Sequence, residues 1–242
     1  MTGDVPETVT AALADQSVEG QVCLEAGAGV GNTTAGLLAA GAKRVYAVTN
    51  DADHAATVRE RVGDGNADRL VVIEADLRAT PLVTDSVDLV TAHGLCNVLP
   101  PTALVAVAAE LTRVAKHDSH LVVDDYAVPP ASAAVNRLFA LENAAARAVD
   151  GRPALTFYPP ALLASVFADH GWTVERKKPL LNPVPWTEAH LNAHAEVVRE
   201  DAEVLPEVVG EPLAAMADNL VSAIGSERAG TMYSLALRLA DG

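Results

Sequence analysis

The 242 residues carry 17 Lys and Arg against 32 Asp and Glu, a formal net charge of −15, and half of them are apolar. That apolar share excludes a disordered chain, and two cysteines, Cys23 and Cys96, exclude a disulfide scaffold and fit a reducing compartment. The start MTGDVPETV lacks the basic and apolar regions of a secretion signal, and no apolar run approaches the roughly 20 residues of a membrane span, so a cytoplasmic protein with no membrane partner is expected.

Short apolar runs then alternate with helical patterns. Val22 to Glu25 reads as a buried strand, and Asn32 to Ala40 as a helix closed by Gly41. Arg44 to Thr49 is the next strand, and Ala52 to Val62 a helix ended by the turn Gly63-Asp-Gly65. Leu70 to Ile73 and Val87 to Thr91 are further strands, Pro101 to Ala115 a helix with Pro at its start, and Leu121 to Asp124 a fifth strand. Strands this short and apolar, separated by helices, predict a parallel sheet covered on both faces. The second half is more helical. Ala131 to Val149 shows a helix-period apolar face at Val135, Leu138, Phe139 and Ala145, and Pro160 to His170 is a helix stopped by Gly171. Trp172 to Arg176 can form a strand, and a proline-rich stretch from Pro179 to Trp186 leads into helices at Thr187 to Leu205 and Pro212 to Ile224. Thr231 to Leu239 forms a terminal strand. With no repeat and no linker, residues 1–242 read as one domain, elaborated by helical segments at 127–160 and 186–230.

The sharpest local signal is Val22 to Thr33, a strand followed by Glu25-x-Gly27-x-Gly29-x-Gly31 and then a helix. Alternating glycines let the backbone turn tightly and approach a ligand, and the helix start offers free N–H groups. The dinucleotide fingerprint puts its third glycine where Asn32 stands, and a triphosphate P-loop needs a Gly-Lys pair that the loop lacks. Glu25 would repel a pyrophosphate and attract an ammonium or sulfonium group. A reductase would show Tyr-x-x-x-Lys, and Tyr126, Tyr158 and Tyr233 each lack the Lys.

The loop resembles the first motif of the class I S-adenosylmethionine-dependent methyltransferases, an acidic residue followed by G-x-G-x-G. The likeness continues in order. Val45 to Asp51 corresponds to the second-strand end that contacts the ribose, with Thr49 and Asn50 where the family usually carries an acid. Glu74-Ala-Asp76-Leu77 is similar to the segment whose Asp accepts from the adenine amino group. Ser86 to Pro100, with His93 and Asn97, is similar to the fourth-strand motif of the small-molecule branch. Leu111 to Asp124 matches the "RVLKPGG-strand" signature, with His117-Asp118-Ser119 replacing the usual Pro-Gly-Gly turn. The resemblance implies a Rossmann-like, doubly wound, mostly parallel seven-stranded α/β sheet with an antiparallel last strand. It also implies S-adenosylmethionine held by Glu25, Gly27, Ala28, Gly29, Gly31, Thr49, Asn50, Asp76, Leu77 and His93.

Ligands in this architecture lie beyond the C-terminal strand ends, which directs attention to His93 and Asn97 after strand four and Asp125 and Tyr126 after strand five. His93 is the candidate general base, since its ordinary range lies near neutrality, and Tyr126 a residue to orient substrate. The bland readings are a backbone- or cofactor-bonded histidine and a packed aromatic. Tyr158 and Trp186 read as core or rim packing, and His190 and His194, four apart on one helix face, as solvated side chains. No zinc spacing occurs, so no metal is expected. The expected activity is in-line methyl transfer to a small molecule. The alternatives are a tRNA or protein methyltransferase, for which no basic cluster is present, and a non-catalytic S-adenosylmethionine-binding protein. The late helices could cap the cofactor or form a homodimer interface. Only four of the basic residues are Lys (Lys43, Lys116, Lys177 and Lys178), a composition that resembles proteins of salt-loving organisms.

Overall fold

The structure, a computed structural model, describes residues 5–240. In chain order the elements are α1 (Glu7–Leu13), β1 (Val22–Ala26), α2 (Asn32–Ala39), β2 (Arg44–Thr49), α3 (Ala52–Val62), β3 (Leu70–Glu74) and β4 (Val87–His93). A 3-10 turn at Cys96–Val98 leads to α4 (Pro101–Val114), β5 (Ala115–Tyr126), α5 (Asn136–Asp150), α6 (Pro160–Ala168) and β6 (Trp172–Leu181). The remainder is β7 (Pro185–Trp186), α7 (Glu188–Val204), α8 (Glu207–Ile224), β8 (Glu227–Arg228) and β9 (Met232–Leu239).

Seven strands form one sheet in the order β3-β2-β1-β4-β5-β9-β6, and β7 pairs with β8 apart from it. The pairings among β1 to β5 are parallel, while β9 runs antiparallel to both β5 and β6. The strand order reverses between β1 and β4, the switch point where the architecture leaves a crevice for ligands.

Alternation along the central strands divides two cores. Cys23, Val45, Leu89 and Val122 join Val9, Leu37 and Val58 of α1, α2 and α3 on one face. Their neighbours Leu24, Val90, Leu121 and Val123 face Leu104, Leu111 and Phe167 of α4 and α6. Trp172, almost wholly buried, also donates its Nε1–H to Thr112 Oγ1 at 2.8 Å, joining β6 to α4. A third core gathers Leu138, Phe139 and Ala145 of α5, Leu191, Ala195 and Val198 of α7, and Ala217 and Leu220 of α8. Tyr126 at the C-terminal end of β5 meets this layer, its ring centroid 5.4 Å from that of Trp186.

Several boundaries differ from the sequence expectation. β5 begins at Ala115 and not at Leu121, because Asp118 takes a left-handed φ of 61° in place of the missing glycine turn and the strand continues through a register shift. Arg238 on β9 then binds the Asp118 carboxylate at 2.7 Å. β6 runs past Arg176 to Leu181; it is an edge strand, and its charged residues mask the alternation. α5 starts at Asn136 and not at Ala131, with the Glu227 carboxylate accepting from the amides of Ala134 and Val135 just before it. α8 starts at Glu207 and absorbs Pro212, the sixth residue of the helix, at the loss of the bond its missing amide would make to the Val208 carbonyl. Neither α1 nor the β7–β8 pair was anticipated. Among the described residues, no helix is long and apolar enough to cross a membrane.

Candidate functional site

The glycine loop leaves the C-terminal end of β1 at the switch point. Its start is fixed by the amides of Gly27 and Ala28, which donate to the Val48 carbonyl at 3.0 and 2.9 Å and tie the loop to β2. Gly27 and Gly29 both have positive φ (76° and 48°), but their surroundings differ. A Cβ on Gly27 would lie 2.8 Å from Leu95 Cδ1, inside the protein, whereas a Cβ on Gly29 would meet no atom within 4 Å. Gly27 is therefore required by its φ and its packing, and the space above Gly29 is open. Gly27→Ala is expected to destabilise the fold by about 2–3 kcal/mol, from overpacking and an unfavourable φ, and a fall in thermal midpoint without ligand checks this.

Glu25 is buried at the end of β1 and accepts a hydrogen bond from the Thr34 hydroxyl in the first turn of α2. Burial pushes its carboxyl up to about 7, partly offset by Thr34 and by the nearby His93. A carboxylate whose burial outweighs its hydrogen bonds is a receptive place for a cation.

β4 and β5 lie side by side with His93 in register with Asp124. His93 Nδ1 is 3.0 Å from Asp124 Oδ2; the carboxylate is buried, while the imidazole side chain keeps 20% of its surface exposed. Asp124 Oδ1 is buried and has no hydrogen-bond partner among the described residues, and the same is true of Asn97 Oδ1. The next residue, Asp125, is completely buried and accepts from the amides of Asn97 (3.0 Å) and Tyr126 (2.7 Å). Burial raises its carboxyl to about 6 against these bonds. Asp125 thus pins the turn after β4, which is also held where the Thr156 amide donates to the Asn97 carbonyl and the Tyr158 hydroxyl to the Leu99 carbonyl. Burial also pushes the Tyr126 phenol above its usual range, so it is a hydrogen-bonding group and not an acid–base group near neutrality.

The remaining predicted positions lie along the same strand ends. Thr49 is buried and its Oγ1 accepts from the Asp51 amide at 3.2 Å, while Asn50 is exposed. The Asp51 carboxylate caps α3, accepting from the His54 amide at 2.8 Å. Asp76 is exposed, and its two oxygens accept from Arg78 Nε at 3.0 and 2.9 Å, which holds its carboxyl down to about 2. Leu77 is buried against the core beneath.

His190 is exposed, as expected, whereas His194 departs from the expectation of a solvated side chain. His190 completes a capping box with Thr187 at the start of α7, and His194 Nδ1 lies 2.8 Å from the buried Glu142 carboxylate of α5. Tyr158 and Trp186 are packed in the core, as expected. Burial pushes the Cys23 thiol up to about 12 and that of Cys96 well above its usual range, so both are inert. Sequence reasoning missed Thr34, which carries no local signal, and Asp124. The signal for Asp124 was an acid ending an otherwise apolar strand.

Residues 23–118 match the family described as methyltransferase domain. No curated protein matches the chain. Among solved structures, the cyclopropane synthase MmaA2 from Mycobacterium tuberculosis is similar at 18% identity and a TM-score of 0.64, covering 95% of this chain and 82% of that one. Geranyl diphosphate C-methyltransferase from Streptomyces coelicolor A3(2), solved with S-adenosyl-L-homocysteine, is similar at 14% identity and a TM-score of 0.61, with coverages of 97% and 78%. The cyclase SpnF, at 16% identity and a TM-score of 0.67, covers 98% of this chain and 81% of its own. These likenesses concern the fold; the matched domain, the acid-and-glycine loop at its switch point and the open face at Gly29 carry the identification. Residues 23–118 thus form a methyltransferase domain, set in a Rossmann-like α/β fold.

Proposed function

We propose that the chain transfers a methyl group to a small-molecule acceptor held beyond the C-terminal ends of β4 and β5. The observation that carries this reading is the convergence, at one end of the sheet, of the open Gly29 face, the buried Glu25 carboxylate and the partly exposed His93. When bound, S-adenosylmethionine supplies a methyl group already activated on a sulfonium. The protein's part is to bind, orient and exclude water, because proximity alone supplies much of the acceleration for an in-line displacement.

In this reading Glu25 takes the ammonium of the cofactor, and the backbone of Gly27, Ala28, Gly29 and Gly31 takes its amino-acid portion. Thr49 and Asn50 take the ribose, and Asp76 and Leu77 the adenine. For Asp76 this requires the exposed Arg78 side chain to swing away, because its amide, Nε and Nη2 together occupy both carboxylate oxygens. His93 and Tyr126 face the acceptor. Helices α5, α7 and α8 act as the cover, supported by the contact between Tyr126 and Trp186 at the ligand end of β5. A net charge of −15 and the acidic residues at these strand ends disfavour a nucleic-acid substrate. The proposed setting is the cytoplasm, in keeping with two buried free thiols.

Calorimetric titration with S-adenosylmethionine and S-adenosylhomocysteine, in dilute buffer and in molar salt, is expected to give saturable binding of both. A metabolite panel read by mass spectrometry for methylated product is expected to yield turnover. Absence of binding would overturn the assignment of the loop, and binding without turnover across the panel would overturn catalysis in favour of a binding protein.

A further inference from the structure

The contact between His93 and Asp124 restricts the acceptor as well as the histidine. An ionised carboxylate only accepts hydrogen bonds, so a neutral imidazole 3.0 Å away must present a proton from Nδ1. The lone pair then resides on Nε2, across the ring, and Nε2 has no hydrogen-bond partner among the described residues. The pairing is built by the sheet itself: β4 and β5 place the two residues in register, and the Gly94 amide donates to the Asp124 carbonyl at 2.7 Å. Asp124 is poorly explained as a structural acid, since its other oxygen is buried without a partner.

We propose that Asp124 is a positioning residue that holds His93 as the Nδ1–H tautomer, and that the acceptor is a protic one, an alcohol, a phenol or a protonated amine. The inference rests on the reading of His93 as facing the acceptor. A base held in one tautomer serves an acceptor that must lose a proton, and is superfluous for an alkene, a thioether or a tertiary amine. In the step implied, Nε2 takes the proton of the acceptor atom while the electron pair released on that atom forms the bond to the methyl carbon. The carbon–sulfur bond breaks with its pair remaining on sulfur, and the imidazolium afterwards returns its proton to water.

The second histidine–carboxylate contact, His194 with Glu142, provides an internal control. His194 packs edge-on against Phe139 at 4.8 Å in the helical core, on α7 and not on the sheet. Long-range proton–nitrogen spectra of the 15N-labelled full chain at pH 8, with His93 identified by signal loss in His93→Gln, report the tautomer directly. Wild type is expected to show Nδ1–H at His93. Asp124→Asn is expected to raise the Nε2–H population several-fold, and Glu142→Gln to leave the His93 signals unchanged. An Nε2–H tautomer in wild type, or a His93 signal indifferent to Asp124→Asn in a folded protein, overturns the role of Asp124.

Turnover in the acceptor panel is expected only with O–H or N–H acceptors. There, Asp124→Asn should lower kcat by about 10²-fold with the KM for S-adenosylmethionine within two-fold, the size of a lost general base. Turnover of a thioether or alkene acceptor overturns the substrate class. The titration with S-adenosylmethionine is independent of the tautomer, so loss of the underlying functional reading is distinguishable from loss of this inference.

Discussion

Gly29→Asp is expected to abolish measurable binding of S-adenosylmethionine, a loss of more than 100-fold by calorimetry, while the apo protein unfolds within a few degrees of wild type. The position has φ of 48° and no neighbouring atom where a Cβ would sit, so the new side chain enters the space left for the ligand and not the core. Asp is among the residues that tolerate the left-handed region, which limits the folding penalty to roughly 1 kcal/mol. The added charge opposes the carboxylate of the cofactor's amino-acid portion. Gly27→Ala should behave in the opposite way, destabilising the apo fold through Leu95. If Gly29→Asp retained binding, or both variants lost stability equally, the division of labour between the two glycines would be wrong.

Glu25→Gln is expected to stabilise the apo protein at pH 8, by about 2 kcal/mol, and to weaken S-adenosylmethionine by 10- to 100-fold. Burial raises the folded-state pKa of Glu25 from an ordinary 4.5 to about 7. Between those values the folded state holds a proton that the unfolded state has released, so stability falls as pH rises from about 4.5 to about 7 and then levels off. Gln retains an oxygen to accept from Thr34 and removes the charge, so the stability difference between variant and wild type should vanish below pH 4.5 and be full above pH 7. Denaturant midpoints across this range test the sign. A variant less stable than wild type at pH 8 would show that Thr34 and His93 compensate the buried charge fully. The same carboxylate that burdens the empty fold is the group assigned to the cofactor's ammonium, which explains its retention in so costly a place.

Much of this was legible in the chain because the signals are local. The alternation of Cys23 and Leu24 between two cores, the helix closed at Gly41 and the strand from Arg44 to Thr49 follow from side-chain period and turn chemistry within a few residues. The loop from Glu25 to Gly31 is equally local, as is the expectation that residues just after β4 and β5 line a site. Local rules failed at Ala115 to Ser119, where a left-handed Asp118 and an ion pair to Arg238 keep the strand going. They failed again at Pro212, where the helix start was set earlier, at Pro206.

What the sequence determined by itself, then, is the kind of sheet, the position of the glycine loop and the set of polar residues carried to one end. The tertiary structure decided which of them act together. It separated Gly27 from Gly29 by the presence or absence of Leu95, gave Asp51 to the cap of α3, and bound Asp76 to Arg78. It also set Asp124 beside His93, 31 residues away in the chain. Periodicity encodes which face of a strand a residue occupies, but the partner across the sheet depends on register. Register is fixed by the packing of the whole core and leaves no mark in either strand alone.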